Sequence, residues 1–210
     1  VAEAMDTAQR GMGLDWKAAQ ELIRRALEAA KSRDGALIAC GAGTDHLAPA
    51  PGVTVEQVIG AYEEQVGAVE DMGGQVILMA TRALPAIGAD ADAYFRVYGR
   101  LLTQARDKVI LHWLGDMFDP ALAGYWGSTD VAVASDFVLS LIAENPAKVD
   151  GIKISLLDQV HEEAFRARLP EGVRLIPTYD RSELILGSVK TLTDTLLQQA
   201  IIVTIICLVF

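Results

Sequence analysis

The sequence predicts an α/β protein: an incomplete (β/α)8 barrel of the TIM type with about six parallel strands, followed by a hydrophobic C-terminal helix. Three observations carry this expectation. Short apolar runs alternate with amphipathic segments at roughly 30-residue spacing, the rhythm of βαβ units around a parallel sheet. The strand candidates are nearly unbroken apolar runs, as when both faces of a sheet are covered. Polar residues collect just after successive strands, which in a barrel would place them around one mouth.

The elements follow in order. VAEAM opens the chain as a short strand. Asp15 then caps WKAAQELIRRALEAAKSR, whose Trp16, Ala19, Leu22, Ile23, Ala26, Leu27 and Ala30 fall on one helical face. Gly35 breaks that helix, and ALIACGAG is a buried strand. Thr54 and Gln57 form a capping box ahead of EQVIGAYEEQVGAVEDM, which ends at Gly73-Gly74. Strand QVILMAT precedes the helix DADAYFRVYGRLLTQARD, with Phe95, Tyr98, Leu101 and Leu102 on its apolar side. Strand KVILHWL, a Gly/Pro loop, the helix in DVAVASDFVLSLIAE and the breaker Asn145-Pro146 lead to strand VDGIKIS. Helix QVHEEAFRARL and strand VRLIPTY complete the pattern.

A doubly wound nucleotide-binding sheet is the competing architecture. GAG after ALIAC lacks a third glycine and runs into TDHLAPAPG rather than a helix, which weakens that reading. With 210 residues and 51% apolar composition the chain can bury a real core. Its 28 acidic against 18 basic residues, without a basic cluster, argue against nucleic acid and anionic membrane surfaces. Cys40 and Cys207 show neither disulfide nor zinc spacing, so a reducing, cytoplasmic setting is expected.

The strand-end polar groups are Asp6 and Thr7, then Thr44, Asp45 and His46, then Thr81 and Arg82, then His112 and Asp116, and lastly Lys153 with Ser155. Lys153 is the unusual one, a lysine between Ile152 and Ile154 in the middle of a strand. Alternation turns the isoleucines toward the helices and Gly151, Lys153 and Ser155 inward. There the ammonium is poorly solvated, and the neutral amine becomes a nucleophile for a carbonyl. The competing reading is an ion pair with Asp6 or Asp45.

Asp45, His46, His112 and Asp116 have metal-ligand chemistry, but no compact spacing joins them, and His46 and Asp116 are weak candidates for a divalent cation. Asp45-His46 also suits a turn, Asp116 and Asp119 flank a loop, and His161 lies on an acidic helix that reads as surface. Trp113, Tyr125 and Trp126 line a pocket or pack beneath a loop.

ILHWLGDMFDP followed by VDGIKISLLD resembles the dihydrodipicolinate synthase/N-acetylneuraminate lyase superfamily, and with EAMDTAQRGMGLDW a bacterial branch of it, over residues 1–174. The resemblance implies a lyase or aldolase in which Lys153 forms a Schiff base with a small keto acid or related carbonyl compound, without a separate cofactor. It implies a proton-relay role for His112, where the superfamily usually has tyrosine; imidazole can shuttle a proton near neutral pH. Thr7, Thr44, Asp45, Arg82 and Ser155 are then the substrate-binding candidates. The chain departs from the superfamily pattern in three places. DTAQR replaces the Gly-Thr-Thr-Gly-Glu loop, TRALPA lacks the second relay tyrosine, and Met117 stands where an arginine is expected. Arg82 or Arg10 would take a substrate carboxylate instead.

Residues 175–210 tell a different story. LPEGVRLIPTYDRSELILGSVKTLTDTLLQQAIIVTIICLVF resembles a segment of heavy-metal resistance-nodulation-division efflux pumps, so LPEGVR reads as a junction in a chimeric chain. Ser188 to Gln199 fits an amphipathic helix. AIIVTIICLVF is shorter than the roughly 20 residues of a membrane span, and both ends of the chain read as cut. Membrane contact through this run is the alternative to a cytoplasmic enzyme, and self-association is left open. A pump would need paired spans with ionisable relay residues, so transport by this chain alone is not expected.

Overall fold

In the computed structural model the described residues are 9, 12–36, 38–169 and 182–209. Contacts divide the chain into two compact units, Val1–Glu171 and Gly172–Phe210. The described residues hold one four-stranded parallel sheet and seven α-helices.

Helix α1 (Trp16–Ala30) starts where Asp15 accepts a bond from the Ala18 N–H at 2.8 Å. Its inward face is narrower than its periodicity implies: Ala19 and Ile23 are buried, but Leu22 is 40% exposed. Strand β1 (Ala39–Ala42) is only the centre of the expected apolar run. Helix α2 (Val55–Asp71) begins with the expected capping box, in which Thr54 accepts from Gln57 N–H and the Gln57 side chain returns the bond. Strand β2 (Gln75–Leu78) is followed by the four-residue helix α3 (Ala83–Ala86) and by α4 (Ala91–Gln104). Strand β3 (Val109–Leu114) leads through two short 3-10 turns to α5 (Val131–Glu144). Strand β4 (Val149–Ser155) and helix α6 (Gln159–Ala167) end the first unit's described elements.

The strands lie in the order β1-β2-β3-β4, all parallel. The order never reverses, so among the described residues there is no switch point of the kind that binds nucleotides in doubly wound sheets. Of the incomplete barrel of about six strands expected, the described residues show four parallel strands in one sheet, and no barrel closure is seen among them. The expected strands VAEAM and VRLIPTY lie outside the described residues.

One face of the sheet joins the helices in the main core. Cys40 and Ala42, Val76 and Leu78, and Val109, Leu111 and Trp113 belong to it, with Ile152 and Ile154 packed against it. The alternate residues Ala39, Ile77 and Met79, with Ile110, form a second, smaller cluster on the opposite face. A bond from Gln75 Nε2 to Asp150 Oδ2 at 2.9 Å reaches from β2 to β4, past β3. On the helix side, Arg96–Glu56, Arg100–Glu63 and Arg106–Glu70 join α4 and the segment after it to α2, tying successive βα units together at the surface.

In the second unit, α7 (Ser182–Val209) is a single 28-residue helix. The sequence reading of an amphipathic piece followed by a short apolar run is corrected here: both belong to one helix, and Ile185–Ile206 is a 22-residue stretch long and apolar enough to cross a membrane. Four threonine hydroxyls, from Thr191, Thr193, Thr195 and Thr204, donate to carbonyls one turn earlier. These bonds remove hydroxyl donors from the helix surface.

Candidate functional site

The C-terminal ends of the four strands carry the polar groups expected there. On β3 and β4 the ladder register pairs His112 with Lys153 and Leu114 with Ser155. Because Leu111 and Trp113 join the main core and Ile152 and Ile154 pack on it, His112 and Lys153 lie on the opposite face of the sheet. His112 is 1% exposed, while Lys153 and Ser155 are half-buried. Lys153, His112 and Asp45 are each engaged by a partner, so none is an idle side chain.

Backbone contacts hold the ends of β3 and β4 together. Gly115 N–H donates to the Ser155 carbonyl at 2.9 Å. A side chain at Gly115 would start 3.2 Å from that oxygen and from Leu156 Cα, so glycine permits the close approach. Just beyond, Leu157 adopts a left-handed φ of 58° before Asp158 caps α6. His161 pairs with Asp158 at 2.7 Å in that cap. Its bonds hold the Asp158 carboxyl below the usual range, the backbone N–H first and the ring second. The expectation that His161 is a surface residue agrees with its 44% exposed side chain.

At the ends of β1 and β2, Thr44 and Thr81 are both buried and share a hydroxyl–hydroxyl hydrogen bond. The Thr81 hydroxyl also accepts from Ala83 N–H at 3.1 Å, and Thr81 N–H donates to Tyr125 Oη at 3.0 Å. Tyr125 bonds Tyr98 at 2.6 Å, Tyr98 lies 3.4 Å from Tyr62, and Tyr62 donates to the Met79 carbonyl. The chain is broken for proton transfer where it passes through a peptide N–H. Burial raises the Tyr98 hydroxyl well above its ordinary range, so it stays neutral. Through Thr81 and Met79 the network ties the end of β2 to α2, α4 and the loop after β3.

Arg82 is committed to a partner, donating from Nε to Asp119 Oδ2 at 2.6 Å. Asp119, read from the sequence as flanking a loop, bridges the loop after β3 to the loop after β2, with 12% of its side chain exposed. Asp116 is exposed in the same loop. Among the described residues no three His, Cys, Asp or Glu side chains gather as a metal site. His46 uses both ring nitrogens: Nδ1 lies 2.9 Å from Gln65 Nε2, and Nε2 lies 3.3 Å from Glu64 Oε2. Thr7, Asp6 and Arg10 fall outside the described residues.

Trp113, Tyr125 and Trp126 pack under the loop rather than on an open pocket wall, each at most 4% exposed. Trp126 sits at a left-handed φ of 66° among Tyr94, Tyr98, Trp113, Tyr125 and Phe137. Gly127, at φ 82°, abuts the start of α4, and an added Cβ would lie 2.7 Å from Ala91 N. Cys40 is buried in β1, and burial pushes its thiol up to about 11.

Gln65 was missed by the sequence reading. It occupies the apolar seam of α2 with Val58, Tyr62 and Val69, and it is fully buried. A glutamine at that period was the available signal.

Comparison with curated proteins finds short similarities to cation efflux proteins. The chain is 44% identical over 48 residues to the putative cation efflux system protein SilA of Salmonella typhimurium, and 42% identical over 48 residues to the cation efflux system protein CusA of Escherichia coli K12. Each match takes in 23% of this chain, and the chain spans about 5% of the length of these relatives. A family model described as a protein of unknown function matches residues 1–205, taking in the sheet, the strand-end residues and most of α7. The chain therefore belongs to the DUF993 family.

Proposed function

We propose that the first unit is part of a (β/α) barrel of lyase or aldolase type, in which Lys153 forms a Schiff base with a small 2-keto acid or related carbonyl compound. The observation that carries this reading is the pairing of Lys153 with buried His112 on the sheet face away from the helices. The unreversed strand order and the Gln75–Asp150 bond past β3 support a curved sheet of barrel type. The motif resemblance around GIKISLLD supports the chemistry.

In this reading the neutral amine of Lys153 adds to the carbonyl carbon and water leaves, giving an imine. The imine draws electrons from the adjacent carbon, so a proton there is lost to give an enamine. His112 is the group in register to accept that proton and return it. Thr44, Asp45 and Ser155 contribute polar contacts. Arg82 donates to Asp119 from Nε, which leaves its terminal Nη donors for a substrate carboxylate. No metal or organic cofactor enters the scheme.

The test is exchange of the C3 hydrogens of 2-keto acids in deuterium oxide. Catalysed exchange that disappears in Lys153→Ala supports the reading. Exchange no faster than in buffer across the series, from folded protein, counts against it.

A second reading rests on α7. Its 22-residue apolar stretch and the similarity to cation efflux proteins support membrane association of the second unit. Flotation with neutral vesicles separates this from a soluble enzyme: loss of flotation on deleting residues 172–210 supports it, and flotation unchanged by that deletion opposes it.

A further inference from the structure

We propose that Gln65 is the positioning residue of the strand-end mouth, anchoring the loop after β1 and locking His46 as its Nε2–H tautomer facing Glu64. The inference stands on geometry apart from the imine chemistry.

Gln65 lies in the middle of α2 with no exposed surface, a place where an amide is retained only if its polar atoms are bonded. Its Oε1 accepts the Gly43 N–H at 2.7 Å, which crosses from helix to the end of β1. A backbone N–H can only donate, so this bond fixes which end of the amide is oxygen. The NH2 group must then face His46 Nδ1, 2.9 Å away. An NH2 group can only donate, so Nδ1 carries the lone pair and the ring proton sits on Nε2. The nearest carboxylate oxygen to Nε2 is Glu64 Oε2, 3.3 Å away. The second amide hydrogen has Gln9 Oε1 at 3.5 Å, so the same side chain also reaches the segment before α1.

Every step is forced by the one before it. Flipping the amide would leave Gly43 N–H facing a donor. Moving the ring proton to Nδ1 would set two donors face to face. The loop held this way carries Thr44, whose hydroxyl bonds Thr81 at the end of β2. Gln65 thus sets the spacing of two strand ends through Gly43, without touching a substrate. His46 is correspondingly a latch: to bind a cation or take a proton at Nδ1 it must leave Gln65.

The test is long-range proton–nitrogen correlation on the full chain with 15N-histidine, the His46 signals being assigned with His46→Asn. The wild type is expected to show an unprotonated Nδ1 and a protonated Nε2 at mildly alkaline pH. Gln65→Glu keeps an acceptor for Gly43 but replaces the donor facing His46, so the proton should move to Nδ1 while Gly43 amide exchange stays slow. Gln65→Met fills similar space with no polar end; the tautomers should mix and Gly43 exchange should quicken about tenfold or more. A wild-type Nδ1–H tautomer overturns the proposal even if neither variant folds. So does Gln65→Met with both signals unchanged, since Gln65 would then serve only to fill volume.

Discussion

His112 stands directly opposite Lys153 across the β3–β4 ladder, on the face of the sheet turned away from the helices. Parallel neighbours at one register keep their side chains on a common side, so this pairing follows from the backbone. It gives the proposed nucleophile an imidazole as its neighbour. If His112 moves the proton, His112→Phe should retain imine formation but slow keto-acid exchange by about 10²-fold. Equal loss of imine and exchange would instead assign His112 to packing.

Arg82 and Asp119 connect the loops after β2 and β3. If a substrate carboxylate competes for Arg82, then Asp119→Asn should tighten keto-acid binding severalfold, read by calorimetry. The same change should lower stability by about 0.5–1 kcal/mol, because the guanidinium is more than a third exposed and solvent screens the pair. Weaker binding in Asp119→Asn would make the pair part of the site's architecture.

Gly127 permits the loop after β3 to seat Trp126 beneath it. Gly127→Ala adds a Cβ 2.7 Å from a backbone nitrogen at a left-handed φ of 82°. A loss of about 2–3 kcal/mol in denaturant unfolding is expected. Because Trp126 lies in the ring cluster, its near-ultraviolet dichroism should weaken in step.

Cys40 sits in the main core with its thiol pushed up to about 11 by burial. The unfolded thiol ionises near its ordinary value, so folded-state stability should be unaffected below that value and fall as pH rises through the interval up to about 11. Peptide-mapped alkylation at Cys40 should be negligible in native protein at neutral pH and rapid after unfolding. Fast labelling of the native thiol would mean that β1 opens readily.

Much of the first unit was legible because its signals are local. Asp15 and Thr54 each cap a helix, and the apolar runs in QVILMAT and KVILHWL each form a strand. The orientation of Lys153 followed from alternation around Ile152 and Ile154. The sequence reading failed where partners are distant in the chain. Gln65 meets Gly43, Arg82 meets Asp119, and Thr81 meets Tyr125, and no spacing rule links those positions. In α7, reading a polar and an apolar piece separately concealed a continuous helix, because Lys190, Asp194 and the threonines break the apolar run without breaking helical geometry. For the tail, the family match extends to residue 205, and the 48-residue similarities to cation efflux proteins accord in part with the efflux resemblance.

Reductive trapping at Lys153 tests the central claim most directly. Full-length protein treated with borohydride and a panel of small 2-keto acids should gain one reduced adduct, which peptide mass spectrometry places on Lys153. That adduct should vanish in Lys153→Ala, while a His112→Phe protein still forms it. Folded protein that gains no adduct, or an adduct that persists in Lys153→Ala, would contradict the account.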